Sequence, residues 1–216
     1  MSQVLRVAMV LGVGLCSAIP AGAQQTMGCG SLENGYGPHD YRTNADKHDI
    51  VERHHFTADV ENLVRGKTGA IGADIAYTLR VFPNHPRALN AMAQLSVREK
   101  TTRPAGSEYS VDCWFERGMR FKPDDATVPM VYGLHLYRIG RKADALKRME
   151  EAASLGEDTP NFHYNLGLIY ADLGRFDEAL SHAHRAYSAG FNLPGLKNRL
   201  VRAGKWRDAS PPVKQD

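Results

Sequence analysis

A chain of 216 residues with a formal charge of +3 has the length of one domain, or of one domain behind a leader. So slight a positive excess makes no case for a nucleic-acid partner or an anionic membrane surface, and it falls by one if Arg6 leaves with a leader. Only three cysteines and two tryptophans are present, against nine histidines.

The chain opens on "MSQVLRVAMVLGVGLCSAIPAGA". Arg6 precedes a short apolar run, Val7 to Leu15, and Ala21-Gly22-Ala23 offers small residues at a cleavage site. This is the signature of a secretory signal peptide over residues 1–23, and the run is too short to span a bilayer as a helix. We expect a chain exported to the periplasm or secreted, with no membrane insertion after cleavage. Neither "VGLC" (Val13–Cys16) nor "TMGC" (Thr26–Cys29) suits lipid attachment. Removing the leader removes Cys16 and leaves Cys29 and Cys113, an even pair that in an exported chain reads as a disulfide. A periplasmic thiol-redox factor using Cys29 and Cys113 is the alternative use of that pair.

Residues 24–56 are rich in glycine, asparagine and aspartate and show no period, so an irregular N-terminal segment is expected. His39, His48, His54 and His55 fall there beside Asp40, Asp46, Asp49 and Glu52. A metal-binding protein or metal-dependent enzyme using the His39–His55 region is a second alternative. However, the spacing matches no ligand motif, and adjacent His54 and His55 would point apart. We therefore expect no metal.

Helical signals begin at "TADVENLVRG", with Thr57 as N-cap and Gly66 as stop. "GKTGAIGAD" (Gly66–Asp74) looks like a phosphate loop, but it lacks the earlier glycine and follows a helix rather than a strand. Ile71–Pro86 and His85–Glu99 read as further helices with their exits. Lys100–Glu108 reads as an insertion, and "SVDCWFERGMRFKPDD" as the second helix of a pair. His182 and His184, two apart, are expected on different faces at the surface.

A repeat then emerges. Ala126–Thr159 lies over Pro160–Leu193 without a gap at an offset of 34. Gly133/Gly167, Leu134/Leu168, Gly140/Gly174, Arg141/Arg175, Ala145/Ala179, Leu146/Leu180, Ala152/Ala186 and Gly156/Gly190 match. The first glycine of each window suits a close crossing by the next helix, and Gly140 and Gly174 suit helix ends. A helix pair of this kind needs stacked neighbours to bury its apolar face.

These windows resemble the tetratricopeptide repeat, a helix–turn–helix unit of this period. Leu166, Gly167, Tyr170, Ala179 and Ala186 stand at its motif positions, while Pro129 and His163 replace its first tryptophan. The resemblance implies an all-α fold, with helix–turn–helix repeats forming a short right-handed solenoid of three to four pairs over residues 57–207. A shorter capping helix is expected at Pro194–Ala203 and a disordered tail at 208–216.

The resemblance further implies a concave groove that holds a protein or peptide partner. Its positions in register are Met130, Leu134, Tyr137, Arg138, Asn161, Tyr164 and Asp172, with Thr127 and Leu168 beside them. The earlier unit adds Arg87, Asn90, Gln94 and Arg98. Arg87, Arg98 and Arg138 would make one side basic, suited to an acidic segment. Tyr137 and Tyr164 fit packing between repeats as well as they fit a groove. No G-x-S-x-G, H-E-x-x-H, C-x-x-C or phosphate-cradling glycine loop occurs. The expectation is therefore a non-enzymatic interaction module without a cofactor, serving as an assembly or stability factor for an envelope complex.

Overall fold

A computed structural model describes residues 28–209. The leader, Cys16 and the tail from 210 onward lie outside the described residues. Among those described there are ten α-helices and no strand. In chain order they are α1 His48–His55, α2 Ala58–Glu61, α3 Ile71–Val81, α4 Pro86–Glu99 and α5 Val111–Phe121. Then follow α6 Thr127–Arg138, α7 Lys142–Ser154, α8 Pro160–Asp172, α9 Phe176–Ser188 and α10 Gly195–Arg202.

Local chemistry sets the helix starts. Thr159 Oγ1 accepts from Phe162 N–H at 3.3 Å ahead of Pro160, and Ser110 Oγ accepts from Cys113 N–H at 3.3 Å. His85 Nδ1 accepts from Ala88 N–H at 3.4 Å, with Pro86 next. Proline is pre-shaped for the first helical position and loses no bond there.

α6 with α7, and α8 with α9, form the two repeated hairpins. A Cβ on Gly133 would lie 3.2 Å from Ala145 O and 2.8 Å from Met149 Cγ. One on Gly167 would lie 3.4 Å from Ala179 O. The small residues therefore mark where the paired helices touch. α4 and α5 make an earlier, wider pair, and the chain between them docks back on α3. There Ala105 O would lie 2.3 Å from a Cβ on Gly72. One continuous apolar core runs from Phe56 to Leu200. A smaller cluster of Val51, Val81 and Phe82, flanked by Tyr41 and Tyr77, sits under the front segment.

Two expectations change. Residues 24–56 are not irregular to their end, since a 3₁₀ turn at Ala45–Lys47 leads into α1. Its Val51 is 2 % exposed, so burial of one side holds a helix that shows no clear period. The helix after Thr57 is also only one turn long. It stops at Leu63, which takes φ 59°, while Val64 N–H closes onto Asp59 O at 2.7 Å. Gly66 is not the stop. It is a point of close approach, where a Cβ would meet Gly69 O at 1.9 Å.

The front segment is fastened by α5. Cys29 and Cys113 form a disulfide with Cα atoms 5.2 Å apart. Arg117, 2 % exposed, donates from Nη1 to Cys29 O at 2.8 Å and Ser31 O at 2.6 Å. Its guanidinium lies 4.6 Å from the Tyr109 ring centre and 5.4 Å from that of Trp114. Arg120 donates to Gly30 O at 2.6 Å. Trp114 is buried, and its indole N–H donates to Ser107 Oγ at 2.8 Å. Gly118 lets α5 approach the preceding exit turn, since a Cβ would lie 2.6 Å from Pro83 O.

Candidate functional site

The groove residues expected from the repeat register sit on α4, α6 and α8, and the structure divides them. At the C-terminal end they are engaged by α10. Tyr137 O–H donates to Asp172 Oδ2 at 2.7 Å and accepts from Arg199 Nη1 at 3.0 Å. Asp172 also pairs with Arg199, and with Lys142 at 3.5 Å. Burial alone would raise the Asp172 carboxyl. The bond from Tyr137 and the charges of Arg199 and Lys142 outweigh this and hold it below its ordinary value.

Tyr164 is 8 % exposed, with its ring 4.8 Å from that of Phe191, and its hydroxyl faces Gly195. For Tyr164 packing is therefore the role the structure shows. Met130 is half-buried against the core, and Leu134 is half-buried. Asn161 is exposed and accepts from Asn165 Nδ2.

At the N-terminal end, Arg87 pairs with Glu52 at 2.8 Å and Glu61 at 3.2 Å, so it is not a free groove cation. Arg98 donates to Leu63 O and has no carboxylate partner among the described residues. Arg138 is exposed and likewise unpaired. These two arginines border a trough made of two adjoining hollows of about 370 and 420 Å³ that share Val97 and Arg138. Val97, Lys100, His135 and Ile139, also on this trough, were not expected from the register. The only signal for Val97 and Ile139 was an apolar residue beside an arginine of the register, at 97–98 and 138–139, and Lys100 and His135 had none.

The histidine-rich segment does not converge on a metal. Among the described residues no group of three or more His, Cys, Asp or Glu side chains is placed to hold one. His54 is exposed. His48 Nε2 lies 2.7 Å from Tyr41 O, and its ring stacks on that of Tyr41 at 4.0 Å. On the other face of Tyr41 lies His85, at 3.8 Å. Tyr41 O–H donates to Glu52 Oε1 at 3.0 Å. His85 Nδ1 accepts its cap bond, so its Nε2 carries the proton and faces Glu52 at 3.4 Å, outside good hydrogen-bond geometry. Contact with His85 and bonds from Arg87 and Tyr41 hold the Glu52 carboxyl at about 2, against the rise that burial would bring.

The Gly-Lys-Thr loop is explained by Asp74, which is fully buried. Its Oδ2 accepts from Lys67 N–H at 2.7 Å and Thr68 N–H at 3.0 Å, and its Oδ1 from Thr68 Oγ1 at 2.6 Å. His55 Nδ1 adds a contact at 3.2 Å. Burial would raise this carboxyl, but these donors hold it below its ordinary value. The amides that would cradle a phosphate already cradle an aspartate of α3.

His182 is a correction to the surface reading. It is half-buried and its Nδ1 lies 2.8 Å from His163 Nδ1. His163 Nε2 lies 2.7 Å from Asp158 Oδ1. A carboxylate can only accept, so His163 carries its proton on Nε2 and His182 donates from Nδ1. Burial and the neighbouring His163 and Arg185 push His182 down to about 4. His184 does lie at the edge, against Trp206 at 5.4 Å.

Residues 133–192 match the family model described as tetratricopeptide repeat. The chain resembles tetratricopeptide-repeat proteins. No curated protein matches it. Among solved structures, a crystal structure of MamA is 15 % identical, with TM-score 0.50 over 73 % of this chain and 86 % of that one. A second, of MamA protein, is 15 % identical, with TM-score 0.50 over 74 % and 82 %. A thermophilic TPR protein of Thermus thermophilus, TTC0263, is 18 % identical, with TM-score 0.49 over 75 % and 84 %. At such identity the likeness to the two MamA structures is one of fold alone. In this chain α4 packs beside α6, and Arg98 and Arg138 border the trough at the ends of those two helices.

Proposed function

We propose that this chain is an exported, non-enzymatic interaction module. It holds a protein or peptide partner on the shared face of α4, α6 and α8, as an assembly or stability factor for an envelope complex. The match of residues 133–192 to the tetratricopeptide repeat carries the reading, because stacked helix pairs build extended binding surfaces. The joined sulfurs of Cys29 and Cys113 support an oxidising compartment. Among the described residues no helix is long and apolar enough to cross a membrane.

Affinity capture from the native envelope tests the proposal. Arg138→Ala removes an exposed, unpaired side chain and should leave the fold intact by circular dichroism while losing the captured partner. Identical capture profiles for the two proteins would count against this face. Tyr164→Ala is unsuited to the purpose, since it would open a hole beneath α10.

A further inference from the structure

Most arginines among the described residues are matched to a carboxylate. Arg87 takes Glu52 and Glu61, Arg141 takes Asp112 and Asp144, and Arg199 takes Asp172. Around the trough this balance fails. Arg98, Lys100 and Arg138 have no carboxylate partner among the described residues, and Arg98 spends only one bond, on a backbone carbonyl. The acid lining the trough, Asp112, is already paired with Arg141 at 3.1 Å.

Between these cations the wall is aliphatic. Val97 is 41 % exposed and Ile139 43 %, two of the few large apolar side chains left in solvent. His135 also lines the trough. It is 4 % exposed, and its Nδ1 has no hydrogen-bond partner. A buried ring nitrogen without a partner is costly in a folded protein and calls for one.

We propose that this trough binds a partner segment in which an aliphatic side chain stands next to carboxylates. The aliphatic group lies on Val97 and Ile139, and the carboxylates lie between Arg98, Lys100 and Arg138. Charge complementarity selects the sign of the segment, and the apolar wall requires more than charge. A single-stranded nucleic acid fits less well, because base stacking needs exposed aromatic faces and the lining holds no Phe, Tyr or Trp. The inference rests on the interaction-module reading and names the partner class for the same face.

Fluorescence anisotropy with short labelled probes tests it. The probes are a Leu/Glu peptide, a Ser/Glu peptide, a Leu/Lys peptide and an oligo-dT strand. The Leu/Glu peptide should bind at least about tenfold more tightly than each of the others. Arg138→Glu and Val97→Glu should each weaken it about tenfold or more, with circular dichroism unchanged. If Val97→Glu does not fold, Arg138→Glu at an exposed, unpaired position decides the point. Equal binding of Ser/Glu, tighter binding of oligo-dT, or indifference to Arg138→Glu overturns the proposal. Arg138-dependent envelope capture alongside any of those results would leave the module reading standing. Failure of every probe together with failed capture would remove both.

Discussion

The two halves of this solenoid are held together by different chemistry. From Thr127 to Ser188 the hairpins are joined by small residues at the crossings, Gly133 near Ala145 and Gly167 near Ala179. Each helix of these hairpins ends on a glycine at positive φ: Gly140 at 83°, Gly156 at 94°, Gly174 at 75° and Gly190 at 85°. The following N–H reaches back in every case, as Arg141 N–H does to Leu136 O at 2.9 Å and Arg175 N–H to Tyr170 O at 2.9 Å. From Gly28 to Phe121 the joints are long-range and polar: the disulfide, Arg117 on two carbonyls, Asp74 on two amides, and Asn84. Asn84 is 1 % exposed. It donates to Asp40 at 2.7 Å and Asp125 at 2.9 Å and accepts from Tyr41 N–H at 3.0 Å. A repeat can be stacked by shape alone. A segment that belongs to no repeat needs individually satisfied polar contacts to hold one position.

The sharpest way to break the front without touching the back is Arg117→Ala. It strips two charge-assisted bonds from Cys29 O and Ser31 O and removes the cation from beside the touching rings of Tyr109 and Trp114. With hydrogen bonds to charged groups contributing about 1.5–3 kcal/mol each, the expected loss is about 3–6 kcal/mol. Urea unfolding with the disulfide intact measures it. Trp206→Phe in the same background leaves Trp114 as the reporter of the front. A midpoint within error of wild type would show that the disulfide alone fastens the segment.

The two halves should also differ in how acid loosens them. Glu52, in the front, is held at about 2, below its ordinary 4.5. Its contribution is present above pH 4.5 and lost as pH falls from there toward 2. His182, in the back, is pushed down to about 4. The unfolded chain takes up that proton first, so its contribution is whole above pH 6.5 and lost as pH falls toward 4. After screening by solvent each is expected at about 1–2 kcal/mol. Glu52→Gln should flatten the stability profile only below pH 4.5, and His182→Gln only between 6.5 and 4. Urea midpoints taken across pH 3 to 7 check both. Profiles that change in the same window for the two variants would contradict the assignment.

The same contrast explains what could be read from the residues alone. The 34-residue offset is visible because every matched position does the same physical task twice, and the register led directly to Arg98 and Arg138. The Cys29–Cys113 pair followed from parity and compartment. Arg117 looked like any surface arginine of a helix, and Asp74 like any first-turn acid, since their partners lie at distances in sequence that no period announces. His163 was seen only as a substitution at a tryptophan position. Its partner His182, on the facing helix, had no pattern to betray it. Tyr164 could go either way until α10 was placed, because an amphipathic ring suits a groove and a packed seam equally.

The smallest test concerns the helix ends, where the front departs from the back most plainly. α2 and α4 close with the same turn as the repeats, but on Leu63 at φ 59° and Lys100 at φ 52°. Thr101 N–H still reaches Ser96 O at 3.0 Å, so the turn is complete and only its residue type is unfavourable. A side chain in the left-handed region costs about 1–2 kcal/mol, and glycine returns part of that gain through its greater freedom when unfolded. Lys100→Gly should therefore stabilise the protein by about 0.5–1 kcal/mol, and Gly140→Ala should cost about 1 kcal/mol. Lys100 also stands on the rim of the trough. The one substitution should then raise the thermal midpoint while lowering affinity for the Leu/Glu peptide. A rise in stability with unchanged affinity would leave Lys100 a strained cap and nothing more. A fall in both would mean that the lysine stem packs against Thr101 and Ile139 strongly enough to outweigh the backbone.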